Sequence, residues 1–387
     1  MGLEGLRIAI VHDYLNQRGG AERVVAALHE LFPRAPIYTS IVDYDNLLPE
    51  LAGADIRPSW MQRLPGVLRH FKKYVMLYPR VFDSLMLDGY DIIVSSSSAF
   101  GKGATKADPS TFHVCYCHTP MRFVWDYESY VEREGMGPLT RAVLPRFIEG
   151  LRRWDLATKD RPDRYVANSS KTRERIARFY GRHSTVIFPP VETSKFTPSA
   201  GAGDYYLIVS RLNSYKSIDL AVEAFNTLGL PLKVVGDGPY APALRAMAAR
   251  NVEFPGPCGD DELARWYAGC RALVFPGEED FGIAPLEANA AGRPVIAFRG
   301  GGALDTVKEG VSGIFFDERT PESIADAVRR FEEGAMDVDP AAIRAHALRF
   351  DSRVFKERFL GFIEEKFEEF AGGGRTRAAA GTGGRRG

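Results

Sequence analysis

Short apolar runs alternate with stretches of helix-like spacing along most of the chain. In the first half, the apolar run 8–11 is followed by a turn at Gly19 and Gly20, and apolar residues then recur at helix spacing until Pro33 stops the helix. Further strands are predicted at residues 37–39, 92–95, 113–117 and 164–168. A strand, a glycine turn and a helix in this order are typical of a parallel sheet covered by helices.

The same alternation restarts after a turn-rich stretch at residues 197–204. A predicted strand at 205–210 precedes a predicted helix at 217–228, and a strand at 232–235 runs into Gly236. Later strands are predicted at residues 252–254, 272–275, 295–298 and 313–316. Two such series predict an α/β chain with two doubly wound, Rossmann-like domains facing a cleft, where a ligand lies at the carboxyl ends of the strands.

The composition narrows the possible function classes. The 387 residues are 45% hydrophobic and 26% charged, which is typical of a globular protein with room for two domains. Lysine plus arginine number 50, as do aspartate plus glutamate, so we expect no nucleic-acid partner. No run of about 18 apolar residues occurs, and the first residues lack the apolar core of a signal peptide. We therefore expect a cytoplasmic protein, which agrees with four cysteines that show no disulfide-framework spacing.

The most informative short motif carries two carboxylates, Glu279 and Glu287, on either side of a Phe281-Gly282 turn. The motif follows an apolar run and precedes a helical stretch of small residues. Such a turn and helix start supply backbone N–H donors, here at Phe281, Gly282, Ile283 and Ala284. The carboxylates accept hydrogen bonds from hydroxyl groups, so the pattern favours a nucleotide-sugar site. Taken alone, two nearby carboxylates also fit the acid and nucleophile of a glycoside hydrolase.

Basic residues and glycines add to this picture. Arg211 and Lys216 follow directly on the strand predicted at 205–210, where fixed cations stabilise the charge of a departing phosphate. Gly19 and Gly20 let the backbone approach a phosphate or an acceptor closely, because no Cβ obstructs it. Each feature has an ordinary alternative, an exposed basic pair or a simple turn.

In their order along the chain, these residues resemble the retaining glycosyltransferases of family 4, which have the GT-B fold. The resemblance covers nearly all of the chain before the tail. It rests on four blocks, which are Gly19-Gly20-Ala21-Glu22, Arg211 with Lys216, Gly236-Asp237-Gly238-Pro239, and Glu279 with Glu287. Residues 12–24 and 115–126 look most similar to mannosyltransferase-like members that build bacterial polysaccharides.

The resemblance implies a domain plan. Residues 1–195 are expected to form an N-terminal acceptor-binding domain, and residues 196–350 a nucleotide-sugar-binding domain. A helix at 351–371, whose apolar spacing runs from 355 to 370, is expected to cross back and pack on the N-terminal domain. The tail at 372–387 is rich in glycine, alanine and arginine, and we expect it to be disordered.

The resemblance also implies roles for individual residues in binding the donor. Four residues are expected to hold the donor pyrophosphate, namely Gly19, Gly20, Arg211 and Lys216. Others are expected to bind the nucleotide and sugar, namely Gly236, Asp237, Phe281, Gly282, Ile283, Ala284 and Glu287, with Glu287 at the ribose.

Catalytic roles are implied for His118 and Glu279, both facing the donor sugar. The alternative for His118 is a structural histidine. Asp13 and Arg122 are candidates for contact with the acceptor or the sugar. No side chain stands out as a covalent nucleophile, so the family resemblance implies a front-face mechanism in which the leaving phosphate takes the acceptor's proton.

Neither a metal ion nor a cofactor is expected, and the nucleotide-diphosphate sugar is a substrate. Two segments, 43–45 and 337–339, match the Asp-x-Asp pattern of metal-dependent glycosyltransferases. The first precedes a turn, and the second precedes a helix that Asp339 is expected to cap. The chain departs from the family at Asp305, where a glutamate is expected, and this puts a donor contact there in doubt.

Two segments, residues 60–80 and 141–154, interleave apolar and aromatic residues with arginine and lysine. Basic amphipathic helices of this kind lie on anionic membrane surfaces, which would place the protein at the inner face of the cell membrane. A lipid-linked glycan acceptor would then fit. Ordinary helix packing with a basic solvent face explains each segment slightly better when it is taken alone, and the presence of both in the acceptor-binding half favours the membrane.

We therefore predict a metal-independent hexosyltransferase that moves mannose from GDP-mannose to a glycan or a lipid-linked glycan. One alternative is a UDP-sugar-dependent transferase that acts on a soluble small molecule. Another is a Rossmann oxidoreductase, but residues 12–20 lack the G-x-G-x-x-G spacing. A third is a non-catalytic sugar-binding protein, against which the retained Arg211, Lys216, Glu279 and Glu287 argue.

Overall fold

The structure, a computed structural model, describes residues 3–126, 138–199, 201 and 203–382, and it describes side chains in these ranges except at 138–144 and 373–382. The chain divides into two compact units. Unit 1 comprises Met1–Pro190 and Phe355–Gly387, and unit 2 comprises Val191–Val354.

The main sheet of unit 1 is parallel, with seven strands in the described part of the chain. These are β1 (Ile8–His12), β2 (Ile37–Thr39), β3 (Ile56–Pro58), β5 (Ile92–Ser97), β7 (Phe112–Cys117), β8 (Arg164–Ala167) and β9 (Ser184–Val186). A separate small sheet pairs β4 (Met86–Leu87) with β6 (Thr105–Lys106). The main sheet has the order β3-β2-β1-β5-β7-β8-β9. The central strands β1, β5 and β7 are buried along their whole length, as expected for a sheet covered on both faces.

Local sequence signals mark the ends of some of the six helices that the structure describes in unit 1 before residue 190. These helices are Gly20–Leu31, Val67–His70, Tyr78–Ser84, Arg122–Trp125, Pro138–Ala157 and Ser170–Tyr180. The helix Ser170–Tyr180 is an example, because Ser169 caps its first turn by accepting the N–H of Thr172 at 3.0 Å. Gly181 ends it in the left-handed conformation, with φ 64°.

Unit 2 contains the second parallel sheet. Its strands are β10 (Tyr206–Val209), β11 (Leu232–Val235), β12 (Val252–Gly256), β13 (Leu273–Phe275), β14 (Val295–Phe298) and β15 (Gly313–Phe316). Its helices are Ile218–Leu228, Ala241–Met247, Asp260–Gly269, Ile283–Ala290, Ala303–Thr306, Pro321–Glu332 and Pro340–Ala347. The strand order β12-β11-β10-β13-β14-β15 is the doubly wound Rossmann order. Both units thus confirm the predicted α/β class.

The last helix, Ser352–Thr382, packs on the core of unit 1 through apolar side chains between residues 355 and 370. Phe359 and Ile363 are fully buried in the unit 1 core, and the ring of Phe355 meets that of Tyr116 with centroids 5.7 Å apart. The segment expected to be disordered, 372–387, begins inside this helix. Its side chains from residue 373 onward lie outside the described residues.

Residues 60–80 do not form a regular basic amphipathic helix. They form 3₁₀ turns at Trp60–Arg63 and Phe71–Leu77 around the short helix Val67–His70. Gly66, in the left-handed conformation with φ 60°, separates the first turn from that helix. Most apolar side chains of the segment pack into or against the unit 1 core, so core packing accounts for much of the pattern.

Candidate functional site

The predicted donor-binding residues of unit 2 lie in loops, and in one helix that follows such a loop, at the carboxyl end of its sheet. β10 is followed by Arg211 and Lys216, β11 by Gly236 and Asp237, and β13 by the segment 279–287. β11 lies on one side of β10 and β13 lies on the other, so the order of the sheet reverses at β10. Ligands of open α/β sheets bind at such a switch point. The topology therefore brings these separately predicted residues to one edge.

A glycine allows the first two loops to touch. Gly236 has φ 128°, and a Cβ there would collide with the carbonyl oxygen of Ser210. The N–H of Leu212 donates a hydrogen bond of 2.9 Å to the carbonyl oxygen of Asp237. The loop that carries Arg211 is therefore held directly against the turn after β11, and this contact explains the glycine.

Lys216 and Glu279 form an ion pair between Nζ and Oε1. Their side chains are 13% and 25% exposed, so the pair is shielded but still accessible to a ligand. A Cβ on Gly277 would come within 2.7 Å of the Lys216 carbonyl oxygen, which shows how closely the two loops pack. Ser217, which follows Lys216, has φ 54°, a left-handed conformation that costs a non-glycine residue about 1–3 kcal/mol. Such strain is typical of ligand sites.

Glu287 lies in the helix Ile283–Ala290 and is only 5% exposed. Its Oε2 accepts a hydrogen bond of 2.8 Å from Tyr267 Oη. Tyr267 is fully buried in the helix Asp260–Gly269, and its ring meets Phe196 edge-on. Packing thus fixes the hydroxyl, which in turn orients the carboxylate of Glu287. Tyr267 was not among the predicted site residues, because a tyrosine on the buried side of a helix has no motif that distinguishes it from an ordinary core residue.

The turn before the helix Ile283–Ala290 is supported by the loop after β14. Gly302 N–H donates a hydrogen bond of 2.8 Å to the carbonyl oxygen of Glu279, and a Cβ on Gly302 would collide with the backbone of Phe281. Gly282 precedes the helix with φ 83°. The first two helical residues, Ile283 and Ala284, are two of the four predicted amide donors, and N–H groups in a first turn have no partner within the helix.

In unit 1, Asp13 follows β1 at the switch point between β1 and β5. It is 1% exposed. Its Oδ2 accepts the N–H groups of Ser98 and Ala99 at 2.6 and 3.0 Å, and its Oδ1 accepts those of Phe100 and Gly101 at 2.7 and 2.5 Å. Asp13 therefore shapes the loop after β5. Its contact with an acceptor or a sugar stays a prediction.

His118 follows β7 and is 9% exposed. Its Nε2 lies 2.8 Å from Ser96 Oγ. Burial, and then the charge of His12, lowers the pKa of His118 to about 3, so the ring is neutral at pH 7. Arg122 starts the short helix Arg122–Trp125 just beyond it and is half-buried. The predicted catalytic histidine is thus a neutral imidazole with a small exposed area.

Gly19 and Gly20 open the helix Gly20–Leu31. The N–H of Gly19 donates a hydrogen bond of 2.9 Å to Glu22 Oε2. A Cβ on Gly19 would lie 2.7 Å from the same oxygen, so this carboxylate leaves no room for a side chain. The role of both glycines at the pyrophosphate stays a prediction.

Across the described ranges, no group of three or more histidine, cysteine, aspartate or glutamate side chains could hold a metal ion. Asp339 accepts the N–H of Ala341 at 2.9 Å and caps the helix Pro340–Ala347, which confirms its predicted capping role. Asp305 lies in the short helix Ala303–Thr306, in the loop region after β14.

Two family models match the two parts of the chain. Residues 18–195 match the model described as Glycosyltransferase Family 4, and residues 192–345 match the model described as Glycosyl transferases group 1. The chain belongs to glycosyltransferase family 4. The second match includes all the unit 2 loops described above.

Two mannosyltransferases illustrate the relatives of this family 4 chain. The GDP-mannose-dependent alpha-(1-6)-phosphatidylinositol monomannoside mannosyltransferase of Mycobacterium tuberculosis is 34% identical over 225 residues, which are 50% of this chain and 56% of that protein. The GDP-mannose-dependent alpha-mannosyltransferase of Corynebacterium glutamicum is 39% identical over 119 residues, which are 30% of this chain and 29% of that protein. The chain thus spans about half the length of the first relative and less of the second.

Solved structures share the fold of this family 4 chain. Anabaena HepE in complex with UDP and glucose has a TM-score of 0.69 and 17% identity, and the match covers 93% of this chain and 99% of that chain. Sucrose-phosphate synthase from Thermosynechococcus elongatus has a TM-score of 0.66 and 17% identity, covering 94% of this chain and 100% of that chain. The chain has the GT-B fold, with one Rossmann-like sheet in each unit.

Proposed function

We propose that this family 4 chain is a retaining, metal-independent glycosyltransferase that moves mannose from GDP-mannose to a glycan or a lipid-linked glycan. The observation that carries the proposal is the ion pair of Lys216 with Glu279 at the carboxyl edge of the unit 2 sheet. A cation suits the phosphates of a nucleotide-diphosphate sugar, and carboxylates suit its hydroxyls. The Mycobacterium relative, named for GDP-mannose and phosphatidylinositol monomannoside, supports the choice of donor and acceptor.

In the proposed reaction, the bond from sugar C1 to the phosphate oxygen breaks while the acceptor oxygen bonds to C1 on the same face. The leaving diphosphate gains negative charge, which Arg211, Lys216 and the N–H groups at the start of the helix Ile283–Ala290 stabilise. The acceptor's proton passes to an oxygen of the leaving phosphate. Atoms and charge balance without a covalent intermediate.

The remaining roles are those that the family resemblance implies, and the contacts of the side chains support them. Glu287, held by Tyr267, accepts hydrogen bonds from the nucleotide ribose. Glu279, oriented by Lys216, accepts hydrogen bonds from the donor sugar. His118, neutral at pH 7, forms a hydrogen bond with a sugar hydroxyl.

We also propose that unit 1 contacts an anionic membrane through residues 60–80. Three apolar side chains of this segment are 38–45% exposed, namely Trp60, Leu68 and Met76. Exposed cations lie between them in sequence, namely Arg63, Arg69, Lys72 and Lys73. Apolar side chains can enter the headgroup layer while the cations meet anionic lipids. In the ranges that the structure covers, no helix combines the length and apolarity needed to cross a bilayer.

The second segment proposed for membrane contact, 141–154, has weaker support. Phe147 is 46% exposed and its neighbour Arg146 is also exposed, but Ile148 and Leu151 are buried. The side chains of residues 141–144 lie outside the described part of the chain. The described side chains of this segment therefore offer a smaller exposed apolar surface than those of residues 60–80.

A transfer assay tests the proposed function. The protein is incubated with radiolabelled GDP-mannose and vesicles that contain phosphatidylinositol monomannoside, a lipid-linked glycan, and the label in the organic phase is counted. We expect lipid-bound label whose anomeric configuration, read by NMR, matches that of the donor. Transfer with the opposite configuration would contradict retention, and transfer from UDP-glucose alone would contradict the proposed donor.

A UDP-sugar-dependent transferase with a soluble acceptor is the second candidate. The structural likeness to HepE, which was crystallised with UDP and glucose, favours it. The Mycobacterium mannosyltransferase matches in sequence, at 34% identity over 225 residues, whereas the likeness to HepE, at 17% identity, is one of fold, so we favour GDP-mannose.

A further inference from the structure

A line of three buried polar side chains in unit 1, Glu22, His12 and Ser96, ends on His118. Ser96 Oγ lies 2.8 Å from His118 Nε2 and 3.1 Å from His12 Nδ1. His12 Nε2 faces Glu22 Oε1 at 3.8 Å, which is an ion-pair rather than a hydrogen-bond distance. The three side chains are at most 2% exposed. Pairing of β1 with β5 sets His12 opposite Ser96, so the sheet itself creates this contact.

The surroundings of His12 place a proton on its Nδ1, and the neighbouring carboxylate of Glu22 favours the protonated ring. Nδ1 lies 3.0 Å from the backbone carbonyl oxygen of Ser96, which can only accept, so Nδ1 carries a hydrogen. Nε2 faces the carboxylate of Glu22. Burial lowers the pKa of His12, but Glu22, Asp13 and the Ser96 carbonyl raise it by more, so the net pKa lies above its ordinary value.

The proton on His12 decides the direction of the next hydrogen bond. Because His12 Nδ1–H already points toward Ser96, the Ser96 hydroxyl keeps its single proton for His118 Nε2. His118 Nε2 is then an acceptor, so the proton of the neutral ring must lie on Nδ1.

We propose that Glu22, His12 and Ser96 are positioning residues that hold His118 as its Nδ1–H tautomer, so that it presents a hydrogen-bond donor to a sugar hydroxyl. The ligand in this statement rests on the proposed function, whereas the tautomer does not. The same Glu22 carboxylate also accepts the N–H of Gly19 through its other oxygen. One buried line therefore connects the Gly19 turn to His118, and both were predicted to touch the donor.

The tautomer matters because it determines what His118 can do. An Nδ1–H group donates to a hydroxyl oxygen, whereas the other tautomer would leave an acceptor at the same place. Since the pKa of His118 is lowered to about 3, the ring stays neutral near pH 7, and its tautomer alone decides whether the exposed nitrogen donates or accepts. The positioning residues therefore make His118 a hydrogen-bond donor without a second proton on its ring.

The direct test is ¹⁵N NMR of protein labelled at histidine, with the His118 signals assigned by their loss in His118→Gln. We expect wild-type His118 to show a protonated Nδ1 and a bare Nε2 between about pH 6 and pH 8. Ser96→Ala removes the donor to Nε2 and should shift His118 measurably toward the Nε2–H tautomer. A wild-type His118 that is protonated on Nε2 would overturn the proposal without any variant.

Ser95→Ala is the matched control. Ser95 Oγ forms the same kind of buried bond, 2.9 Å to His113 Nε2, on the neighbouring position of β5. We expect this variant to alter the His113 signals and to leave those of His118 unchanged. If Ser95→Ala and Ser96→Ala move His118 equally, the effect is a general loosening of the strand and the proposal fails.

Kinetics separate this proposal from the proposed function. If GDP-mannose is turned over, Ser96→Ala should lower kcat by about tenfold or more with KM for the donor within about twofold, because one oriented hydrogen bond is weakened. Ser95→Ala should keep both constants within about twofold. An unchanged kcat in Ser96→Ala would overturn the positioning role. If no nucleotide sugar is turned over, the proposed function fails while the NMR result still decides the tautomer.

Discussion

The side chains of Lys216 and Glu279 form an ion pair in unit 2, although they follow different strands of the sheet. The two residues were predicted on separate grounds, one as a phosphate ligand after β10 and the other as a sugar ligand after β13. Their contact means that a bound diphosphate would meet a lysine already held in place by a carboxylate. Little reorganisation would then be needed when charge develops on the leaving group.

Replacing Lys216 should weaken binding of the diphosphate. In Lys216→Gln, we expect the affinity for GDP, measured by calorimetry, to fall by about tenfold or more, since a hydrogen bond to a charged group contributes about 1.5–3 kcal/mol. Lys233→Gln is the matched control, because Lys233 pairs with Glu253 at 2.7 Å on the same unit. The control should bind GDP as the wild type does. Equal affinities in Lys216→Gln and wild type would remove Lys216 from the site.

The buried hydroxyl of Tyr267 should matter for the donor through Glu287. Tyr267→Phe deletes the 2.8 Å hydrogen bond to Glu287, and we expect it to cost about 1–2 kcal/mol of unfolding free energy and several-fold in affinity for GDP-mannose. Tyr205→Phe is the control, because its hydroxyl donates at 2.9 Å to the carbonyl of Trp266. The control should lose stability and keep donor affinity. A parallel loss of affinity in both variants would argue against a specific role of Tyr267.

Much of the fold could be predicted from the sequence, because buried parallel strands are apolar along their whole length. The predicted strand at 8–11 is Ile8–His12, and the predicted helix at 217–228 is Ile218–Leu228. The short edge strands Ile56–Pro58 and Ser184–Val186 were missed, since they are partly exposed and have no continuous apolar run. The segment 60–80 has the composition of a basic amphipathic helix for another reason, because core and surface residues alternate there within short turns.

The site was predictable only in part. Motifs give residue types in order along the chain, so the roles of Lys216, Glu279 and Glu287 could be proposed. The contact of Ser96 with His12 depends on the register of β1 against β5, which no local pattern encodes. Tyr267 likewise acquires its role only when its helix packs beside Glu287.

Buried histidines should make the protein less stable in acid. Burial, followed by the charge of Lys106, lowers the pKa of His113 to about 3, against an ordinary value of 6.5. As the pH falls below 6.5, the unfolded chain binds a proton that the native state refuses, so stability falls. The loss at pH 5 is about 2 kcal/mol for His113, and His118 adds a similar loss. His12 works in the opposite direction, since its contribution is complete below 6.5 and fades as the pH rises through its raised pKa.

Urea unfolding at pH 7 and pH 5 measures this effect. In His113→Asn, the difference in unfolding free energy between the two pH values should be smaller than in wild type by about 2 kcal/mol. The exposed His183 gives the control, and His183→Asn should keep the wild-type difference. If His113→Asn kept the wild-type difference in unfolding free energy between pH 7 and pH 5, burial of His113 would not be a source of the acid sensitivity.

Charge reversal at residues 60–80 should weaken membrane binding. The variant Arg69→Glu, Lys72→Glu, Lys73→Glu replaces exposed cations beside the exposed Leu68, and each cation contributes about 1 kcal/mol near an anionic surface. We expect flotation with phosphatidylglycerol-containing vesicles to fall by more than about tenfold. The same charge change at exposed residues of unit 2, Arg250, Arg329 and Arg349, is the control and should have little effect. Undiminished flotation of the first variant would contradict a membrane role for this segment.

The central claim is that unit 2 binds a nucleotide-diphosphate sugar through the loops around Lys216, Glu279 and Glu287. Thermal unfolding tests this claim most directly, with the protein alone and with GDP-mannose, UDP-glucose, ADP-glucose or dTDP-glucose. A ligand that binds the native state raises the unfolding temperature according to its concentration and affinity. We predict a rise with GDP-mannose that exceeds the rise with the other three sugars and is largely lost in Glu287→Ala, whose unliganded protein still unfolds cooperatively. No rise with any of the four sugars, or an equal rise in Glu287→Ala, would contradict the claim.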